Sequence, residues 1–214
     1  MGDVCQVPEV DARQIWEDWG AGYPGPRWSI QNDDGMAPTA ESAAWGGRLL
    51  ATPDAGRSGF ATLSLRSSPC LVLTGKAVTV RVVPVQGPFE YTTLIIESAN
   101  PAFGSTGVQV EKLANGNLDV NTFGPNSDSA TVTYDPEAHA WWRVQHDAST
   151  GVLSVMVADF CDEDWTTLAS ANVGDTWDGH EVVLAFTLDE PNGAESPGSW
   201  SEIYISDTNP EPES

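Results

Sequence analysis

Residues 141–168, WWRVQHDASTGVLSVMVADFCDEDWTTL, constrain the folding of this chain more than any other stretch. The segment reads as a strand over Trp141–Asp147, a tight turn at Ala148-Ser149-Thr150-Gly151 and a second strand over Val152–Ala158. An acidic turn and a third short strand from Trp165 follow. Alternation assigns the faces. Trp142 and Val144 point one way and Trp141, Arg143 and Gln145 the other, while Leu153, Val155 and Val157 share one side of the next strand. A period of two broken by turn formers is the pattern of antiparallel sheet.

The same pattern runs through most of the chain. Trp28-Ser29-Ile30, Trp45–Leu50, Phe60–Leu65, Lys76–Val83, Tyr91–Ser98, Glu181–Leu188 and Trp200–Ser206 all read as strands. Val78, Val80 and Val82 form one inward row, and Leu94 and Ile96 another. Val108–Leu113 and Leu118–Thr122 flank Asn115-Gly116, a dipeptide that supplies the positive φ angles of a tight hairpin. That hairpin puts Val108, Val110, Leu118 and Val120 in the core and Gln109, Glu111, Asp119 and Asn121 on the opposite face. No internal repeat, heptad or helix stands out. With 214 residues and 40% hydrophobic content, one large β domain is expected. It covers residues 11–206, after an extended lead-in (1–10) and before a flexible acidic, proline-containing tail (207–214).

Thirty-one acidic residues face nine basic ones, for a formal charge of −22, and the acids are spread along the chain. Nucleic acid is thereby excluded as a partner, because its binding rests on lysine and arginine neutralising phosphates. The same repulsion disfavours anionic membranes and polyanionic glycans. No apolar run approaches the length of a membrane span, and no signal peptide is visible. Such a surface fits solvation in a salty or extracellular setting; several divalent-cation sites would fit as well. Cys5, Cys70 and Cys161 are far apart and form no Cys-x-x-Cys pair. Either three buried thiols or one disulfide is expected. Cys5–Cys70 is the first choice of pair, since both fall near strand starts at sheet edges.

Trp141-Trp142-Arg143-Val144, the aliphatic strand after it and Trp165-Thr166-Thr167-Leu168 resemble the bacterial and phage laminin-G-like domains of the concanavalin A-like lectin/glucanase superfamily. Those domains carry Trp-x-Arg-aliphatic, a Ser-Pro-Asp-Gly turn and Trp-Thr-x-Leu. Here Asp159-Phe160-Cys161-Asp162 replaces the turn. Ile15–Trp19 and Trp45–Leu50 are similar to the family's opening and Gly-Gly-x-Leu strands. The resemblance implies an all-β, jelly-roll β-sandwich of two antiparallel sheets, with a face that binds or cleaves glycans. It places Trp28, Trp142 and Trp165 in the core. It also implies a structural calcium ion held by Asp18 (or Glu17), the Gly47 carbonyl and Glu202.

Retaining glucanases of that superfamily carry Glu-x-Asp-x-(x)-Glu on one strand, because their mechanism needs two carboxyl groups about 5 Å apart. The corresponding strand here offers only Glu97, and no catalytic residue is assigned. His139 and His180 sit next to turns, and His146 alternates with core positions as a satisfied, partly buried side chain. Trp177 lies in a loop where it could be exposed. Parity expects one polar sheet face carrying Tyr91, Glu97, Gln109, Glu111, Asp119, Asn121, Trp141 and Arg143. An aromatic ring, an arginine, acids and amides together are the groups that stack on a sugar and bind its hydroxyls. Cross-strand pairing of Arg143 with Glu97 or Glu111 is the plainer role for the same residues. The expected function is a non-catalytic carbohydrate-binding or adhesion module at the cell surface, outside the cell or on a phage particle. Its partner would be a glycan or another surface protein. A structural or assembly domain, and a glycan-active enzyme with an atypical site, are the alternatives.

Overall fold

The computed structural model describes residues 15–17, 28–32, 36–43, 46–53, 61–67, 71–83, 91–98, 106–113, 115–124, 126–159, 164–174, 181–190 and 198–207. The lead-in (1–10), the tail residues 208–214, Cys5, Asp18, Cys70, Cys161, Trp177 and His180 lie outside them. In chain order the strands are β1 (Ile15–Glu17), β2 (Trp28–Asn32), β3 (Met36–Ala43), β4 (Gly46–Pro53), β5 (Ala61–Ser67), β6 (Leu71–Val72), β7 (Lys76–Val83) and β8 (Tyr91–Ser98). They continue as β9 (Gly107–Lys112), β10 (Asn117–Phe123), β11 (Ser129–Thr133), β12 (Trp141–Asp147), β13 (Val152–Ala158), β14 (Thr166–Asn172), β15 (Glu181–Glu190) and β16 (Gly198–Asp207).

These strands form two eight-stranded sheets. One runs β14-β13-β12-β7-β16-β4-β3, with β1 beside β16; the other runs β11-β10-β9-β8-β15-β5-β2, with β6 beside β15. Their inner faces share one hydrophobic cluster. Val78, Val80, Trp142, Val144, Leu153 and Val155 come from the first sheet, and Leu65, Leu94, Ile96, Val110, Leu118 and Val120 from the second. Sequence alternation becomes burial alternation: β10 is buried at every second residue, and β12 inserts Trp142, Val144 and His146. The structure is therefore an all-β sandwich of two antiparallel sheets.

The two sheets meet along the edge formed by β11 and β14. Asp128 ties them there: one carboxylate oxygen accepts from Ser129 N (2.9 Å) and the other from Ser170 N (3.2 Å). Two strands have little sequence signal. β3 contains Pro38 in mid-strand, which a sheet tolerates at an edge, and β3 is an edge strand. β6 has only two residues. Trp165 departs from its expected core position. It is half-buried, with the Arg143 guanidinium 5.4 Å from its ring centroid.

Candidate functional site: the outer face of the β8–β10 sheet

Gly116 adopts φ +81° and closes the β9–β10 hairpin. The pairing Leu118↔Lys112, Asp119↔Glu111, Val120↔Val110, Asn121↔Gln109 then fixes which side chains lie together. The valines and Leu118 go into the core, and Gln109, Glu111, Asp119 and Asn121 are left half-buried on the outside. β8 joins on the other side, with Thr93↔Glu111 and Glu97↔Gly107 in register.

Two side chains hold Glu111 on this face. Thr93 Oγ1 donates to its Oε1 (3.3 Å) and Gln109 Nε2 to its Oε2 (3.1 Å). Asp119 stands directly opposite, and its Oδ1 is buried and accepts no hydrogen bond from the described residues. Like charges in opposed cross-strand positions destabilise a sheet, and a buried acceptor left unmet costs about 1–3 kcal/mol. The fold thus keeps two carboxylates together at a cost. Arg66 of β5 reaches across β15 to Glu97 of β8 (3.4 Å), both side chains being about 40% exposed. An ion pair this exposed contributes little to stability, so its main effect is on the charge of the face. Ala185 lies between these two strands, in register with both Ile95 and Arg66.

Not all of the expected face assembles. Tyr91, Glu97, Gln109, Glu111, Asp119 and Asn121 belong to three adjacent strands of one sheet, Tyr91 being in register with Asp189 of β15. Trp141 and Arg143 belong to the other sheet, between β13 and β7. Parity is correct for both residues but does not say which sheet a strand joins. Arg143 consequently pairs with neither Glu97 nor Glu111 by strand register. Trp141 is also only 5% exposed, and the Arg81 guanidinium lies 5.8 Å from its ring centroid. It is not available to stack on a sugar. Arg66 and Thr93 add to the expected residues of this face, and each continues a polar row legible on its strand: Thr62, Ser64, Arg66 and Tyr91, Thr93.

The elements expected to hold calcium lie side by side. β16 pairs with β1, where Glu17 is in register with Ile203, and with β4, where Trp200 is in register with Leu49. Asp18 and both cysteines of the expected disulfide lie outside the described residues. Among the described residues no group of three or more His, Cys, Asp or Glu could hold a metal ion. His146 is 1% exposed, and Gly75 N–H donates to its Nδ1 (3.2 Å), which ties the β6–β7 turn to β12. His139 is less buried; desolvation lowers its pKa, and the nearby Asp135 opposes part of that shift. No helix among the described residues is long and apolar enough to cross a membrane.

No protein-family model matches the sequence, and no curated protein matches it. Solved structures do match in fold. A legume lectin-like domain from Entamoeba histolytica superposes with a TM-score of 0.58 at 7% identity, covering 86% of this chain and 91% of its own. The exoplasmic/lumenal domain of VIP36, in its Ca2+/Man2-bound form, gives 0.56 at 11% identity over 94% and 89%. A prokaryotic β-1,3-1,4-glucanase (lichenase) from a mouse hindgut metagenome gives 0.52 at 14% identity over 86% and 95%. These structures define the fold as that of legume lectin-like, concanavalin A-like domains.

Proposed function

We propose that the chain is a non-catalytic carbohydrate-binding or adhesion module, exported to the cell surface, the extracellular space or a phage particle. The observation that carries this reading is the outer face of β8–β10. There Gln109, Glu111, Asp119 and Asn121 stand in two opposed pairs, half-exposed, with Glu97 and Tyr91 on the next strand. Amides and carboxylates so placed accept from and donate to sugar hydroxyls. Lectin-like neighbours, one of them with Man2 bound, support the reading at the level of fold. A glycan array tests it. At least one glycan class should bind, and Gln109→Ala and Asn121→Ala should each lose most of that binding. Asn121→Ala should move stability by no more than about 0.5 kcal/mol, whereas Gln109→Ala should cost up to about 1.5–3 kcal/mol, because its amide donates to the Glu111 carboxylate. An empty array would favour the assembly-domain reading, and full binding by both variants would place the site elsewhere. Release of sugar from polysaccharide would instead reveal an enzyme.

A structural calcium ion where β1, β4 and β16 run together is part of the same proposal, with Asp18 or Glu17, the Gly47 carbonyl and Glu202 as ligands. Calcium takes six to eight oxygens, backbone carbonyls among them, so three adjacent strands suit it. The Ca2+-bound VIP36 neighbour supports the choice of ion. A hundredfold excess of ion over Kd should stabilise the fold by about 2.7 kcal/mol, and several degrees of Tm should be lost on adding a chelator. An unchanged Tm with no calcium found by elemental analysis would remove the site.

A further inference from the structure

We infer that the β8–β10 face accepts uncharged glycans and rejects those bearing carboxylate or sulfate groups, with Asp119 and Glu111 setting that choice locally. This rests on the glycan-binding reading of the same face. Arg66, a cation on this face, sits on Glu97 at 3.4 Å. Glu111 and Asp119 add two further carboxylates in directly opposed positions, where Cβ atoms are about 4.5–5.5 Å apart. A ligand anion about 5 Å from either one is disfavoured roughly fourfold at the dielectric of water. At the effective dielectric near a protein surface the factor exceeds about a hundredfold. A neutral sugar meets no such barrier.

The chain's charge of −22 also repels anions, but the two effects respond differently to salt. Repulsion from distant surface charges fades once the Debye length falls from about 8 Å at 0.15 M to about 3 Å at 1 M, whereas partly buried charges are screened much less. The Asp119 Oδ1 is buried. Discrimination set by this pair therefore survives high salt, and discrimination set by bulk charge does not.

The test compares linear mannose and glucose oligomers with the same oligomers oxidised to uronates at C6, by calorimetry at about 0.15 and 1 M salt. Wild type, Asp119→Asn and Glu111→Gln are each measured, with a melting curve to confirm folding. The ratio of the two Kd values is the readout, which cancels any general weakening of the site. Wild type should favour the neutral oligomer at least about tenfold at both salt concentrations, and each variant should narrow that ratio about tenfold. Equal or tighter binding of the uronate overturns the inference. So does a ratio that collapses at high salt in wild type, or one that neither variant moves. Binding of neither oligomer overturns this inference, and an empty glycan array overturns the glycan reading itself.

Discussion

Tyr134 shows how one side chain reports on the packing around it. It follows β11, donates its N–H to Gly116 O (2.8 Å) and sets its ring 5.9 Å from that of His139. Burial pushes its hydroxyl up to about 12, and the Asp135 carboxylate adds to the shift. A group whose folded-state pKa is raised stabilises the fold below its unfolded value, near 10, and loses that contribution as pH rises through 12. Stability should therefore fall between about pH 10 and 12, and Tyr134→Phe should flatten that slope. In a spectroscopic titration one of the four tyrosines should ionise late. Four tyrosines ionising together near 10 would mean that Tyr134 is not packed as described. At this scale the sequence is a good guide to side-chain direction and a poor one to environment. Trp141 does point away from the core that Trp142 enters, yet it is buried, with Arg81 lying near its ring. Nothing in a run of alternating residues announces that contact, because Arg81 arrives from β7, some sixty positions earlier.

Two glycines set the geometry of β9 and β10 for opposite reasons. Gly116 has open space around it but a left-handed backbone, φ +81°. Gly107 has no such φ, but a Cβ there would fall on the Ile96 carbonyl oxygen of β8. Gly116→Ala should cost about 1–2 kcal/mol, and Gly116→Asn less, since asparagine visits that conformation. Gly107→Ala should cost about 1–3 kcal/mol or more, because backbone must move, and asparagine should be worse still. Denaturant unfolding of the four variants decides this. A neutral Gly107→Ala would mean that β9 does not approach β8 beside Glu97. Gly116 was legible as half of an Asn-Gly turn, whereas Gly107 was not, since its constraint comes from a neighbouring strand. Strands with clean alternation, such as β7, β8 and β12, were legible to within a residue of their ends. β3, with Pro38, was not, because edge position and pairing partner, rather than composition, make it a strand.

At the scale of the molecule, parity assigns each strand an inside and an outside, but only strand order says which outsides adjoin. Reading β8, β9, β10 and β12 as neighbours joined residues that the fold puts on opposite sides of a sandwich. The hairpin β9–β10 and its pairing with β8 survive that correction, because the Asn-Gly turn and the shared valine row fix them. What remains is a face of amides, carboxylates and one paired arginine on a lectin-like scaffold. The most direct test of that face is a 1H–15N NMR titration of the labelled protein with a glycan that binds it. Shifts should centre on the backbone amides of Gln109, Glu111, Asp119 and Asn121 and on the side-chain amides of Gln109 and Asn121, with Trp141 and Arg143 unmoved. Shifts centred instead on Trp141, Arg143 and the Trp165 indole would put the ligand on the other sheet and contradict that placement.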